Sequence, residues 1–365
     1  MKKKILVFHY ARSYGGGDVF LESLLPELAP KYDLVLATVY PEHISAKLRD
    51  RNIVIPVYRI PLKNPLLLFG IFSFWSLLSK EKIDLVFVQD IALSLYVRFF
   101  QLFDRSLQQV LEITANFRHF KYKLPLARTL VSFFNRISQR QVAKFVCVSD
   151  YLVAALKIEG VAPSLIELIY NGVPVCDALS RPPGQKFRVG FIGRLSYEKG
   201  IDIYLEIAQK YQDRQDLAEF HVFGDGPMAG LVRQAEQQFP GLVIYHGFVK
   251  DVLRQHDLDL VIMPSRDEGL PYTALECMAY GIPLLAASAG GLPDLIKDGE
   301  NGLLCRIGDV DGFACSLDRL AAEPGLRLAL AERAGESVCN KFSLEKMLSS
   351  YERLFKDLLS LSQLS

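Results

Sequence analysis

Short apolar runs alternate with longer amphipathic stretches along the whole chain. In the first half the runs fall at residues 5–8, 34–38, 54–58, 85–88, 110–113 and 145–148. In the second half they fall at 188–192, 219–223, 243–246, 260–263 and 283–286. They are apolar rather than alternating, as expected of strands covered on both faces, and each is too short for an independent helix. Apolar strands separated by amphipathic helices predict an α/β fold with parallel sheets. Two such sets in series predict two Rossmann-like domains.

Turn and linker residues mark the boundary between them, first Asn171-Gly-Val-Pro174 and then Arg181-Pro-Pro-Gly184. The expected division is an N-terminal domain over 1–172, a linker over 173–184 and a C-terminal domain over 185–343. The remaining segment, 344–365, carries a last amphipathic helix. A chain of 365 residues suits two cores better than one. The apolar half and the charged 23% are those of a globular protein.

The six cysteines show no Cys-x-x-Cys spacing, which predicts buried, reduced thiols in a cytosolic protein. The lysines at 2–4 and the apolar run after them are too short for a secretory leader and read as a first strand. The longest apolar run, 66–78, is broken by Gly70, Ser73 and Ser76. It falls short of the ~20 residues that span a bilayer.

Charge is uneven. Residues 1–180 hold 22 Lys/Arg against 15 Asp/Glu, and the rest of the chain reverses that balance. Between Arg98 and Lys144 there are nine basic residues and two acids, interleaved with Phe99, Phe100, Phe103, Phe117, Phe120, Tyr122, Phe133 and Phe134. Such a mixture suits an anionic membrane surface; it also fits helices with buried aromatic faces and solvated cations. A nucleic-acid partner is disfavoured, because the second half carries a different kind of site.

That site begins at Ser265, where the chain reads Ser-Arg-Asp-Glu-Gly-Leu-Pro-Tyr-Thr-Ala-Leu-Glu-Cys-Met-Ala-Tyr-Gly-Ile-Pro, ending at Pro283. Glu268 follows a predicted strand, and Glu276 comes after seven intervening residues. Pro271 is suited to the first turn of a helix, which places Glu276 in its second turn. The N–H groups at the start of that helix suit a phosphate. Upstream, Gly190-Phe-Ile-Gly-Arg-Leu-Ser-Tyr-Glu-Lys-Gly leaves the first strand of the second half. Gly193 permits a tight turn beside a ligand. Arg194 and Lys199 are two cations able to neutralise a diphosphate as it leaves.

Together these segments resemble the Glu-x7-Glu and Gly-Arg-Leu-x-x-x-Lys-Gly signatures of retaining, nucleotide-sugar-dependent glycosyltransferases of the GT-B fold, family 4. The resemblance covers most of the chain and is strongest over 188–304. It implies two Rossmann-like domains whose parallel sheets face each other across a cleft, with the last helix crossing back to the N-terminal domain. It also implies a UDP-, GDP- or ADP-sugar donor and no metal. Arg194 and Lys199 would hold the diphosphate, and Glu276 the ribose. Glu268, with the N–H groups of Gly269 and Leu270, would hold the transferred sugar. Backbone around Phe248 and Val249 would meet the base.

In the N-terminal half, Gly16 and Gly17 match a family loop that faces the donor. The family's histidine near the reacting carbon falls here on Thr114 to Asn116, with His119 a few residues late. His119 is therefore a candidate for that role beside Asn116 or a backbone carbonyl. His9 and Asp90, at strand ends, are candidates for acceptor contacts. The glycines of Val222-Phe-Gly-Asp-Gly either admit a ligand or simply turn the chain. Asp257-Leu-Asp259 spells a metal motif, but it directly precedes a strand and lacks the convergent oxygens a hard cation needs.

The resulting expectation is transfer of a sugar to a glycan or lipid-linked acceptor in cell-surface polysaccharide or lipopolysaccharide synthesis, in the cytoplasm or at the inner membrane face. The alternatives are a sugar-nucleotide epimerase, an inverting transferase, or a binding subunit without turnover.

Overall fold

The structure is a computed structural model and describes residues 2–10, 15–50, 53–60, 69–89, 91–103, 107–113, 139–176 and 186–361. Its strands are β1 (Lys4–His9), β2 (Asp33–Thr38), β3 (Val57–Arg59), β4 (Leu85–Val88), β5 (Gln108–Ile113), β6 (Lys144–Cys147) and β7 (Ile166–Leu168), then β8 (Phe187–Ile192), β9 (Ala218–Phe223), β10 (Val243–Gly247), β11 (Leu260–Met263), β12 (Leu284–Ala287) and β13 (Leu303–Cys305). The first helices are α1 (Gly16–Leu28), α2 (Pro41–Asp50), α3 (Phe69–Glu81), α4 (Ile91–Phe100) and α5 (Asp150–Ile158). They continue with α6 (Ile201–Gln209), α7 (Ala229–Gln238), α8 (Val252–Gln255), α9 (Tyr272–Ala279), α10 (Leu292–Leu295), α11 (Val310–Ala322), α12 (Pro324–Lys341) and α13 (Leu344–Leu361).

The strands form two sheets, ordered β3-β2-β1-β4-β5-β6-β7 and β10-β9-β8-β11-β12-β13. Every pairing between named strands is parallel. The chain separates into two compact units, one of residues 1–171 with 347–365 and one of 172–346. Each is a Rossmann-like α/β unit, with the order of connection reversing between β1 and β4 in one and between β8 and β11 in the other.

Most predicted strands lie where expected, because apolar runs such as Leu85–Val88 and Leu260–Met263 are buried along their whole length. Three differ. The third strand is Val57–Arg59 rather than 54–58: Val54 is 94% exposed, and Pro56, lacking an N–H, joins the sheet only by accepting from Leu36 N at 2.9 Å. β7 and β13, each three residues long, are too short to show a period. Among the cysteines, Cys147, Cys277 and Cys305 are buried as expected, but Cys315 and Cys339 stand exposed on α11 and α12. No helix among the described residues is long and apolar enough to cross a membrane.

In the first unit, α13 completes the core. Tyr351 lies 5.1 Å from the Phe20 ring and 5.8 Å from that of Phe87, and Phe355 packs against Phe87 as well. The Tyr351 hydroxyl donates to Glu112 Oε1 at 2.9 Å, while Gln89 Nε2 donates to Oε2 at 2.7 Å. In the second unit, Asp259 accepts from Arg188 N at 2.8 Å and from Nε at 3.0 Å, tying the start of β11 to β8.

Burial pushes the Glu112 carboxyl up to about 7, against the opposing pull of its two donors. A carboxyl raised in the folded state holds its proton longer than in the unfolded chain. Its contribution to stability is therefore fullest below the ordinary 4.5 and declines as pH rises through about 7. Glu112→Gln is expected to flatten that decline in urea unfolding followed against pH. Tyr351→Phe, which leaves Oε1 short of a donor, is expected to cost roughly 1–3 kcal/mol at neutral pH by the same measurement.

Candidate functional site

In the second unit the chemistry-bearing residues follow strand ends. After β8 the chain turns through Gly193, Arg194 and Leu195 into a 3₁₀ turn, Tyr197–Lys199, and then α6. Leu195 N donates to Asp225 O at 3.0 Å, so this turn is braced by the one that follows β9. A Cβ on Gly224 would stand 1.9 Å from Gly193 O, and one on Gly226 would stand 2.5 Å from Leu195 O. Those two glycines therefore serve close packing of two strand-exit turns. Arg194 is exposed and, among the described residues, has no ion-pair partner.

After β11 the loop turns inward. Glu268 is only 7% exposed, and both its carboxylate oxygens accept from Lys199 Nζ at 2.7 Å. Ser265 Oγ adds a third bond, to Oε1 at 2.8 Å. A buried carboxylate needs this much company, because an unpaired one costs several kcal/mol. The loop's backbone is fixed from β12: Gly291 N donates to Glu268 O at 2.9 Å. Gly290 has φ 53 and a Cβ there would fall 2.0 Å from Glu268 O, so only glycine fits.

Arg266, which the sequence does not single out, clasps the two loops. Its guanidinium donates to Asp202 at 2.8 and 2.7 Å and to Tyr197 O at 2.7 Å. It also lies 3.7 Å from the centroid of the Tyr197 ring, and its own N–H donates to Glu198 O at 2.8 Å. The turn that carries Lys199 is thus bound to the loop that carries Glu268. The sequence signal was only adjacency to Glu268; the partner, Asp202, lies 64 residues away.

Pro271 caps α9 instead of opening it, and Glu276 lies in the second turn. Burial and the like charge of Asp251 push Glu276 up to about 7. Asp251 belongs to the loop after β10 that also contains Phe248, which is exposed, and Val249. Two groups result: Gly193 to Lys199 with Glu268, Gly269 and Leu270, and Phe248 to Asp251 with Glu276. Asp257 and Asp259 are both engaged by Arg188.

In the first unit Gly16 and Gly17, expected in a loop, form the opening turn of α1 instead. His9, at the end of β1, is buried with its Nε2 3.3 Å from Asp18 Oδ1, and Asp18 Oδ2 accepts from Gly15 N at 2.9 Å. His9 Nδ1 is enclosed with no hydrogen-bond partner among the described residues, and a Cβ on Gly17 would lie 3.0 Å from His9 Cε1. Asp90, Thr114, Asn116 and His119 lie outside the described residues.

Comparison with known proteins follows this division. The profile of the family described as Glycosyl transferases group 1 matches residues 186–323, and that of Glycosyltransferase Family 4 matches 14–175. The N-acetyl-alpha-D-glucosaminyl L-malate synthase of Bacillus anthracis is 38% identical over 101 residues, 28% of this chain and 26% of that protein. The lipopolysaccharide core biosynthesis glycosyltransferase LpsE of Rhizobium meliloti is 37% identical over 97 residues, 27% of this chain and 28% of that protein. The matched stretch thus spans about a quarter of each of these curated relatives. Anabaena HepE, crystallised with UDP and glucose, superposes with a TM-score of 0.82 at 18% identity, over 97% of this chain and 99% of its own. At that identity the likeness establishes the GT-B fold.

Arg266→Ala is expected to release the Tyr197–Lys199 turn at a cost of about 1–2 kcal/mol, a partly buried bidentate pair being worth more than a surface one. Hydrogen exchange should rise at the amides of Lys199 and Gly200 while α12 stays protected. Unchanged exchange at those two amides would show that the clasp holds nothing in place.

Proposed function

Because the chain belongs to glycosyltransferase family 4, we propose that it moves a sugar from a nucleoside-diphosphate sugar to a glycan or lipid-linked acceptor. The observation that carries this reading is the Lys199–Glu268 pair on a braced turn, with Arg194 exposed on the same turn and without an ion-pair partner among the described residues. Arg194 and Lys199 meet the diphosphate of a UDP-, GDP- or ADP-sugar, Lys199 leaving or sharing its bond to Glu268 as the phosphates enter. Glu268 and the N–H groups of Gly269 and Leu270 then hold the sugar. Glu276 takes the ribose hydroxyls and the segment of Phe248 and Val249 the base, a division favoured by the shared neighbourhood of Glu276 and Asp251. The acceptor is assigned to the first unit.

The reaction retains configuration by front-face substitution. The bond from the anomeric carbon to the phosphate oxygen breaks, and the bond to the acceptor oxygen forms on the same face. The acceptor's proton passes to the leaving phosphate. Two fixed cations stabilise that oxygen as its charge grows. No metal is required in this scheme, which the engagement of Asp257 and Asp259 by Arg188 supports. LpsE is named for lipopolysaccharide core synthesis, and a similar cell-surface glycan at the inner membrane face is the setting proposed here. The His9–Asp18 pair would suit a base-assisted, inverting reaction, but the enclosure of His9 Nδ1 favours retention. Product stereochemistry by NMR decides between them.

Calorimetry with UDP-, GDP- and ADP-sugars is expected to show tight binding of one donor, weakened roughly tenfold or more by Arg194→Ala. Binding of none of them would favour a partner subunit without turnover. Glu268→Ala should keep nucleotide binding but lose transfer by roughly 100-fold or more; transfer near the wild-type rate would remove Glu268 from the mechanism. Ribose hydroxyls donating to Glu276 favour its ionised form, so donor binding near pH 7 should release protons. Heats measured in two buffers of different ionisation enthalpy should then differ, and Glu276→Gln should abolish the difference.

A further inference from the structure

The loop that follows β10 starts and ends on a histidine. Tyr245 pairs with Val222 and Gly247 with Phe223, which leaves His246 as the extra residue of a β-bulge. A bulge re-aims one side chain. Here the His246 ring lies flat on that of Phe223, 4.4 Å away at 8°, and its Nε2 meets His221 Nδ1 at 2.9 Å. His256, at the end of α8, closes the loop from the other side. Its ring lies 4.9 Å from that of His246 and 4.6 Å from the same Phe223, which is buried. Three imidazoles seated on one core ring thus form the neck of the segment 247–255.

That segment carries Phe248, 65% exposed, and Asp251, whose φ of 54 is a strained backbone for a residue other than glycine. Such a conformation persists where the surroundings over-determine it. Within the loop Gln255 Nε2 donates to Lys250 O at 2.8 Å, and Arg254 Nε donates to the Tyr280 hydroxyl, at the end of α9, at 2.7 Å.

The neck is built for neutral rings. Glu219 Oε1 lies 3.2 Å from His221 Nε2, which therefore carries the proton; His221 Nδ1 then accepts and His246 Nε2 donates. This bond uses the lone pair that a metal ion would need. The charged groups that act on the rings are Glu219 on β9, Arg188 on β8 and Glu236 on α7. Burial, with the neighbouring imidazoles, pushes His246 down to about 4, and burial lowers His221 against the pull of Glu219. One added proton can be shared across the bond, but a second would set N–H against N–H. Both groups lie below the ordinary 6.5 in the folded chain, so their contribution is full above 6.5 and is lost as pH falls through about 4.

We propose that His246, His256 and His221 are positioning residues for the nucleotide end of the site, closing the neck of the loop so that Phe248, Val249 and Asp251 stand ready for the donor. The inference rests on the donor reading above for what the loop meets. The closing of the loop is tested without donor.

Hydrogen exchange on the free protein reads the neck directly. At pH 7.5 His246→Ala should lower protection at the amides of 248–255 roughly tenfold or more while α12 stays protected. His246→Phe, which keeps a ring on Phe223, should restore most of it. As pH falls from 7.5 to 4.5, protection corrected for the intrinsic rate should fall at 248–255 in the wild type before it falls in α12, and should fall less in His246→Phe. Protonation of Glu276 works the other way, since it relieves the like charge of Asp251. The nucleotide sugar that binds the wild type in calorimetry should bind His246→Ala roughly tenfold more weakly, as expected when the competent loop is a minor state, and His246→Phe nearly as well as the wild type. Equal loop protection in the wild type and His246→Ala would overturn the proposal, as would an opened loop with donor affinity unchanged. Zn²⁺ binding that His246→Phe abolishes would also overturn it, by giving the rings to a metal. A loop that opens as expected in a protein that binds no nucleotide sugar would sink the functional reading and leave the closing role of the histidines standing.

Discussion

Strands paired in parallel all leave a sheet at the same edge, and everything chemical in this protein depends on that constraint. In the second unit the turns after β8, β10, β11 and β12 are gathered at one edge because the hydrogen bonding allows no other arrangement. The reversal of connection makes β8 and β11 neighbours, so the turn leading to Lys199 and the loop of Glu268 meet although 69 residues separate them. The glycines at 224, 226 and 290 follow from the same crowding, since neighbouring strand exits leave room for backbone only. In the first unit His9, Gln89 and Glu112 are brought to adjacent strand ends in the same way.

Electrostatics then decides which residues can be buried there. Glu268 stays enclosed because a lysine and a serine hydroxyl satisfy it, and the lysine is on a turn that Arg266 fastens down. Glu112 and Glu276 have weaker company, and burial raises both.

Much of this was legible in the sequence, for identifiable reasons. Parallel strands buried on both faces appear as apolar runs, so the two sheets could be read with little ambiguity. Lys199 and Glu268 were readable because each sits in a motif with fixed spacing. The clasp of Arg266 to Asp202 and the bond of Tyr351 to Glu112 join residues 64 and 239 positions apart, and no local pattern records such a pairing. The misplaced third strand and the missed β7 and β13 are short edge or near-edge segments, where few hydrogen bonds impose a period.

The place of Tyr351 has a consequence for the order of assembly. The first unit keeps a core ring and a hydrogen-bond donor on α13, a helix made only after the whole of the second unit. Domains generally fold as they emerge, the earliest first. Here the second unit can close while the first still waits, with Phe20, Phe87 and Glu112 uncovered until α13 has been made. A nascent chain halted anywhere before α13 would therefore display an open apolar seam, which is the kind of surface that holdase chaperones grip.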